Sequence, residues 1–156
     1  MNLKTLLLRQ VHPCFVQDGK ITSQAFRPTP KDENKLSVYD GDKISPEKSY
    51  NHYCSQAGCT SHGVMAVSNE ECATQELTVI EDGIPFPEHC SICFDNFSKS
   101  QIEKKAKRLK RFAEERGWLF IANDTTQIWQ TPSAKSWDLP QIVFPPLEDF
   151  KPKLLE

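Results

Sequence analysis

Apolar residues at the three- and four-residue spacing of one helix face run through "SKSQIEKKAKRLKRFAEERG": Ile102, Ala106, Leu109, Phe112 and Ala113. Ser98, with Gln101 three positions on, forms a capping box, and Gly117 supplies the stop. The pattern predicts a long helix over 99–116. Two shorter helices follow from the same end signals. Ser45 is an N-cap, Pro46 suits the first helical position and Glu47 favours the positive end of the dipole, so a helix runs to about Cys54 and stops before Gly58. Ser68 and Glu71 make a second capping box, for a helix reaching about Gln75.

Between the helices the period changes. "LKTLLLRQV" (3–11) reads as a buried first strand, although its leucines could also open a helix. "PCFVQDGKI" (13–21) turns at Asp18-Gly19 between two short apolar pieces, a hairpin signal. The two prolines of "RPTPKDEN" (27–34) make a loop. "KLSVYDGDK" gives a strand from Leu36 to Tyr39, closed by an Asp-Gly turn. "GVMAV" (63–67) is apolar throughout and suits a central strand buried on both faces. "LTVIEDG" (77–83), "HCSICF" (89–94), "WLFIAN" (118–123) and "TQIWQ" (126–130) complete the strand candidates, the last two around an Asn123-Asp124 turn.

Alternating strands and helices predict a single α+β domain over 1–130, with a mixed sheet of about six strands, one long helix in the C-terminal half and two short helices. From Thr131 onward prolines accumulate around Trp137, Phe144, Leu147 and Phe150. Residues 131–156 therefore read as an extended tail that packs on the domain or on a partner.

The composition narrows the classes. At 156 residues the chain can bury a core without metal or disulfide support. With 38% hydrophobic and 26% charged residues it reads as globular rather than disordered. A net charge of −2 makes no global case for nucleic acid or an anionic membrane. The apolar run before Arg9 is too short for a signal h-region, and nothing approaches a membrane span. The expected location is cytoplasmic, where cysteines are thiols or ligands rather than disulfides.

"SYNHYCSQAGCTSHG" holds His52, Cys54, Cys59 and His62, and "HCSIC" adds Cys90 and Cys93. Together these spell C-x4-C…C-x2-C, a zinc-like spacing. Two arguments oppose it. If 89–94 is a strand, Cys90, Ile92 and Phe94 share one face, while His89, Ser91 and Cys93 share the other. On a helix His52 and Cys54 lie about 200° apart. The preferred reading makes Cys72 and Cys90 small core residues, with no metal and no cofactor. No cysteine has a context that marks it as a catalytic thiolate.

The polar residues of 12–42, set among turns, are the better binding candidates, because loops on a rigid scaffold gather functional groups. The candidate pocket residues are His12, Ser23, Arg27, Lys31, Asp32 and Ser37, joined by His52 and His89. Lys31-Asp32 could hold an anion and orient water, and a histidine could serve as general base. Against this, Lys-Asp after Pro-Thr-Pro is also an ordinary solvated loop. A lone histidine is more often a hydrogen-bonding fixture than a catalyst.

The stretch "LLLRQVHPCFVQDGKITSQAFRPTPKDENKLSVYDGD", with "GVMAV" and "PFPEH", resembles a group of small bacterial proteins of unknown function. The likeness covers roughly residues 6 to 117. It centres on His12, Ser23, Phe26, Pro28, Lys31-Asp32 and "LSV", not on the cysteines. It implies a bacterial or phage-type origin and transfers no catalytic residue.

Three functions are compatible with these patterns. The first is an accessory or partner-binding protein, for instance in a toxin–antitoxin or defence gene cluster, recognising another protein through the 131–156 tail. The second is a small transferase or hydrolase acting on a nucleotide-like anion, using His12, Lys31 and Asp32 with His52 or His89. The third is a zinc-stabilised module. The basic 99–116 helix could touch nucleic-acid phosphates, but no groove-reading motif accompanies it and a solvated helix face explains it as well. Glu103 to Lys107 is an expected i,i+4 pair along it. Metal analysis of protein purified without chelator tests the zinc-stabilised reading. The thiol reading expects zinc far below one equivalent, and one bound equivalent would reverse it.

Overall fold

The structure is a computed structural model, and it describes residues 1–29, 31 and 33–122. Met1–Ala122 form one compact unit. The predicted strand at 126–130, the Asn123-Asp124 turn and the 131–156 tail lie outside the described residues.

Among the described residues eight strands form: β1 (Leu6–Val11), β2 (Val16–Gln17), β3 (Lys20–Ile21), β4 (Lys35–Asp40), β5 (Gly63–Ser68), β6 (Thr78–Ile80), β7 (His89–Cys93) and β8 (Phe120–Ile121). Six make one sheet in the order β6-β7-β4-β1-β5-β8, and β2-β3 form a separate hairpin. Every pairing is antiparallel, so the strand directions are more uniform than the mixed sheet expected from the sequence. The hairpin turns where predicted, with Asp18 at φ 52° and Gly19 at φ 77°, the left-handed pair that a two-residue hairpin needs.

The three helices are α1 (Pro46–Cys54), α2 (Asn69–Thr74) and α3 (Lys99–Arg116). Ser45 caps α1 by accepting from the Lys48 amide. Both expected capping boxes are formed, Ser68 with Glu71 and Ser98 with Gln101. Gly117 ends α3 at φ 89°.

Strand alternation sorts the core into two layers. Leu7, Val11, Met65, Val67, Cys90, Ile92 and Phe94 face one side, where Ala106, Leu109 and Ala113 of α3, Cys72 of α2 and Phe26 cover them. Leu8, Tyr39, Val64 and Ala66 face the other, under Tyr50 and Tyr53 of α1, Phe86 and Phe120. All six residues of β5 are buried because both faces are covered. That is why "GVMAV" shows no alternation. Gly63 is required there, since an added Cβ would lie 2.5 Å from the Phe120 carbonyl oxygen.

Several charges of α3 are spent within the protein. Arg116 makes a two-pronged ion pair with Glu71 at 3.0 and 3.1 Å and donates to the Ala66 carbonyl. Lys105 and Arg108 both reach Gln75. Glu103 binds Arg27 at 2.8 Å rather than taking Lys107 as its i,i+4 partner. The i,i+4 pair on the helix is Lys110 with Glu114. No helix among the described residues is long and apolar enough to cross a membrane.

Leu109 is fully buried at the centre of the α3 contact. Leu109→Ala should lower unfolding free energy by about 2–5 kcal/mol, from lost transfer energy plus a cavity. Urea denaturation checks this. A loss below about 1 kcal/mol would mean that α3 does not carry the core.

Candidate functional site

The β1–β4 ladder pairs Leu7 with Asp40 and Leu8 with Tyr39, and then stops, although both strands continue. Arg9 bridges the fork. Its Nε donates to the Ala25 carbonyl and its Nη1 to the Ser37 carbonyl, both at 2.9 Å. Two cavities border the fork, and both include Arg9 and Ser37.

The larger, of about 750 Å³, lies between the 24–37 segment and the start of α3. Arg9, Arg27, Lys35 and Lys99 line it, with Gln24, Thr29, Asn34 and Ser37 as polar groups. Phe15, Leu36, Phe97 and Ile102 supply apolar wall. No carboxylate lines it among the described residues.

The smaller, of about 190 Å³, opens on the α1 side of the sheet. Tyr39 and His89 sit opposite each other on β4 and β7, as do Ser37 and Ser91. All four project to this face, because Val38, Cys90 and Ile92 occupy the other. Tyr53 and Gln56, near the end of α1, and Pro85 and Phe86 of the β6–β7 loop close the sides.

Two histidines in this region are each held through Nδ1. His89 Nδ1 lies 2.6 Å from Asp82 Oδ1, and Ser91 Oγ donates to Asp82 Oδ2 at 2.8 Å. Burial pushes the Asp82 carboxyl up, but hydrogen bonds from His89, Ser91 and the Ile84 amide outweigh it and hold the group below its ordinary range. A carboxylate only accepts, so His89 carries a proton on Nδ1, and Nε2 is the ring nitrogen left for another partner. No hydrogen bond reaches His89 Nε2 among the described residues. Burial, reinforced by Tyr53 and nearby thiols, raises the Tyr39 phenol far above its ordinary value, so Tyr39 stays protonated. Its hydroxyl hydrogen-bonds with His52 Nδ1 at 2.9 Å. Phe86 packs against all three rings, stacked on Tyr39 and edge-on to His52 and His89.

Gln10, only 8% exposed, also lines this cleft. Its Nε2 donates to Ser49 Oγ at 3.0 Å, while Oε1 has no donor among the described residues. An unpaired buried acceptor costs roughly 1–3 kcal/mol, a cost tolerated where a ligand can supply the missing bond.

The candidates named from the sequence divide among these places. Arg27 and Ser37 line the larger cavity, Ser37 and His89 the smaller, and His52 stands behind Tyr39. His12 turns back on its own chain, accepting from the Cys14 amide to cap a 3-10 turn at Pro13–Phe15. Ser23 opens the 3-10 turn Ser23–Phe26. Lys31 is exposed. His12, Ser23 and Lys31 line neither cavity, and neither cavity gathers His12 or Lys31 with His52 or His89. Asp32 lies outside the described residues. Arg9, Gln10, Lys35, Tyr39, Asp82 and Lys99 were not singled out in advance. A charged residue inside "LLLRQV", and two polar residues alternating with Cys90 and Ile92, were the available signals.

The cysteines serve the core where the strand pattern put them. Burial pushes the Cys72 thiol up to about 12 and that of Cys90 up to about 11, so neither is a thiolate at neutral pH. Cys93, on the opposite face from Cys90, donates to Asp95. Among the described residues no group of three or more His, Cys, Asp or Glu is arranged to hold a metal ion.

Comparison with protein families, with curated proteins and with solved structures returns no significant match.

Because Asp82 titrates lower in the fold than in the unfolded chain, its stabilising contribution is complete above about pH 4, the unfolded carboxylate value. The contribution is lost as pH falls through the lower folded value. Asp82→Asn should therefore be less stable than the parent at pH 7, with the gap closing below about pH 4. Thermal melts across pH check this, and a gap unchanged by pH would contradict it.

Proposed function

We propose that the protein binds a small phosphate-bearing organic anion in the larger cavity. The observation that carries this reading is that Arg9, Arg27, Lys35 and Lys99 all line one concavity, with no carboxylate among its described lining residues. Guanidinium and ammonium groups lining one concavity supply positive charge that attracts phosphate oxygens. The volume falls in the range of ligand sites, and the apolar wall suits a cyclic or aromatic ligand body. Glu103 bonds to Arg27 at 2.8 Å and fixes the guanidinium at the rim. This reading develops the nucleotide-like anion expected from the 12–42 segment, with a changed residue set.

The internal use of Lys105, Arg108 and Arg116 weighs against α3 as a nucleic-acid surface.

Titration calorimetry with adenosine monophosphate, inorganic phosphate and uncharged adenosine tests the proposal. The monophosphate should bind, adenosine should bind at least about tenfold more weakly, and Lys35→Ala with Lys99→Ala should cost about 10–100-fold. Raised salt should weaken binding. Equal affinity for adenosine and its monophosphate, or no binding of either phosphate probe, would refute it.

A further inference from the structure

The smaller cleft has its own chemistry. His89 is fixed from behind by Asp82, which is fixed in turn by Ser91 and the Ile84 amide. Asp82 follows β6, which pairs with β7 on the side away from β4. His89 lines the cleft with Ser37 and Tyr39 of β4, and its Nδ1 is taken by Asp82. An imidazole whose Nδ1–H is held by a carboxylate is fixed in orientation, and Nε2 is the nitrogen it can offer as a base. Arg9 lines the same cleft and contributes positive charge to it, while its Nε and Nη1 donate to the Ala25 and Ser37 carbonyls. Gln10 adds a buried acceptor lacking a donor.

We propose that this cleft is a hydrolytic centre for phosphodiesters, with His89 as general base. The substrate's negative charge follows from the reading of the adjoining basic cavity and rests on it; the placement of the base does not. A water O–H proton passes to His89 Nε2 as the water oxygen forms the new P–O bond. The P–O bond to the leaving oxygen breaks, and its electron pair stays on that oxygen. The imidazolium then returns its proton to solvent or to the leaving oxygen. Nothing is oxidised or reduced, and one water is consumed per diester. Arg9 balances the charge on the non-bridging oxygens. Asp82 is a positioning residue: it touches His89 and not the reacting atoms. The titratable and charged groups facing His89 are Asp82 from the β6–β7 loop, Tyr39 from β4, Arg9 from β1 and Tyr53 from α1.

The test uses the full chain in excess EDTA with bis(p-nitrophenyl) phosphate, following p-nitrophenolate. Activity should rise with pH as an imidazole deprotonates. His89→Gln should lower the rate on the order of 10²–10⁴-fold. Asp82→Asn should lower it and displace the pH limb, which a loss of packing alone would not do. Circular dichroism melts of each variant confirm that the fold is retained. If His89→Gln does not fold, the pH limb of Asp82→Asn and its displacement decide alone. No turnover by the folded parent, a rate unchanged in His89→Gln, or His89-dependent cleavage of p-nitrophenyl acetate without cleavage of the diester would each overturn the proposal. Monophosphate binding without hydrolysis would remove this inference and leave the binding function standing. Hydrolysis without monophosphate binding would do the opposite.

Discussion

The Arg9 guanidinium occupies the place where two strands of the sheet part. β1 stays paired with β5 along its whole length, and β4 stays paired with β7. Between them the ladder ends after two residue pairs, and backbone acceptors are left facing the fork. Arg9 satisfies two of them, one on β4 and one on the 3-10 segment beneath α3. A charge-assisted bond to each carbonyl is stronger than a neutral one. The fork remains open because a long, five-donor side chain fills it.

Both cavities take their position from that opening. On one side it meets the 24–37 segment, where Lys35, Arg27 and Lys99 of α3 line the larger cavity. On the other it meets the strand face carrying Tyr39 and His89. The two sites differ in kind. The first offers charge and volume, and the second offers a proton acceptor in a small aromatic enclosure. Arg9 and Ser37 border both.

Local features of the fold were readable in the sequence because local rules create them. Ser45, Ser68 and Ser98 cap where their side chains must, Asp18-Gly19 turns where only a left-handed pair fits, and the α3 stripe buries Ala106, Leu109 and Ala113 as its spacing requires. The alternation in "HCSICF" also separated Cys90 from Cys93 correctly. Strand direction was less readable, because the antiparallel order follows from long-range pairing. The sites were only partly legible. Arg27, Ser37 and His89 were named among the candidates, but the partner of His89 was not, since Asp82 reaches it only after the β6–β7 loop folds back. His12 looked like chemistry and proved to be a cap. Lys35 looked like the start of a strand, and Lys99 like one helix charge among many.

Glu71 shows how tightly α2 and α3 are tied to the sheet. One carboxylate oxygen accepts from the Ser68 amide at 2.8 Å and from Arg116 at 3.0 Å, and the other accepts from Arg116 at 3.1 Å. The start of α2, the last residue of β5 and the final turn of α3 therefore share a single acidic side chain. Arg116 also holds the Ala66 carbonyl within β5. None of these three elements can open to solvent without disturbing the other two. The far end of α3 and the centre of the sheet should then exchange their amide hydrogens as one cooperative block rather than fraying from the helix terminus inward.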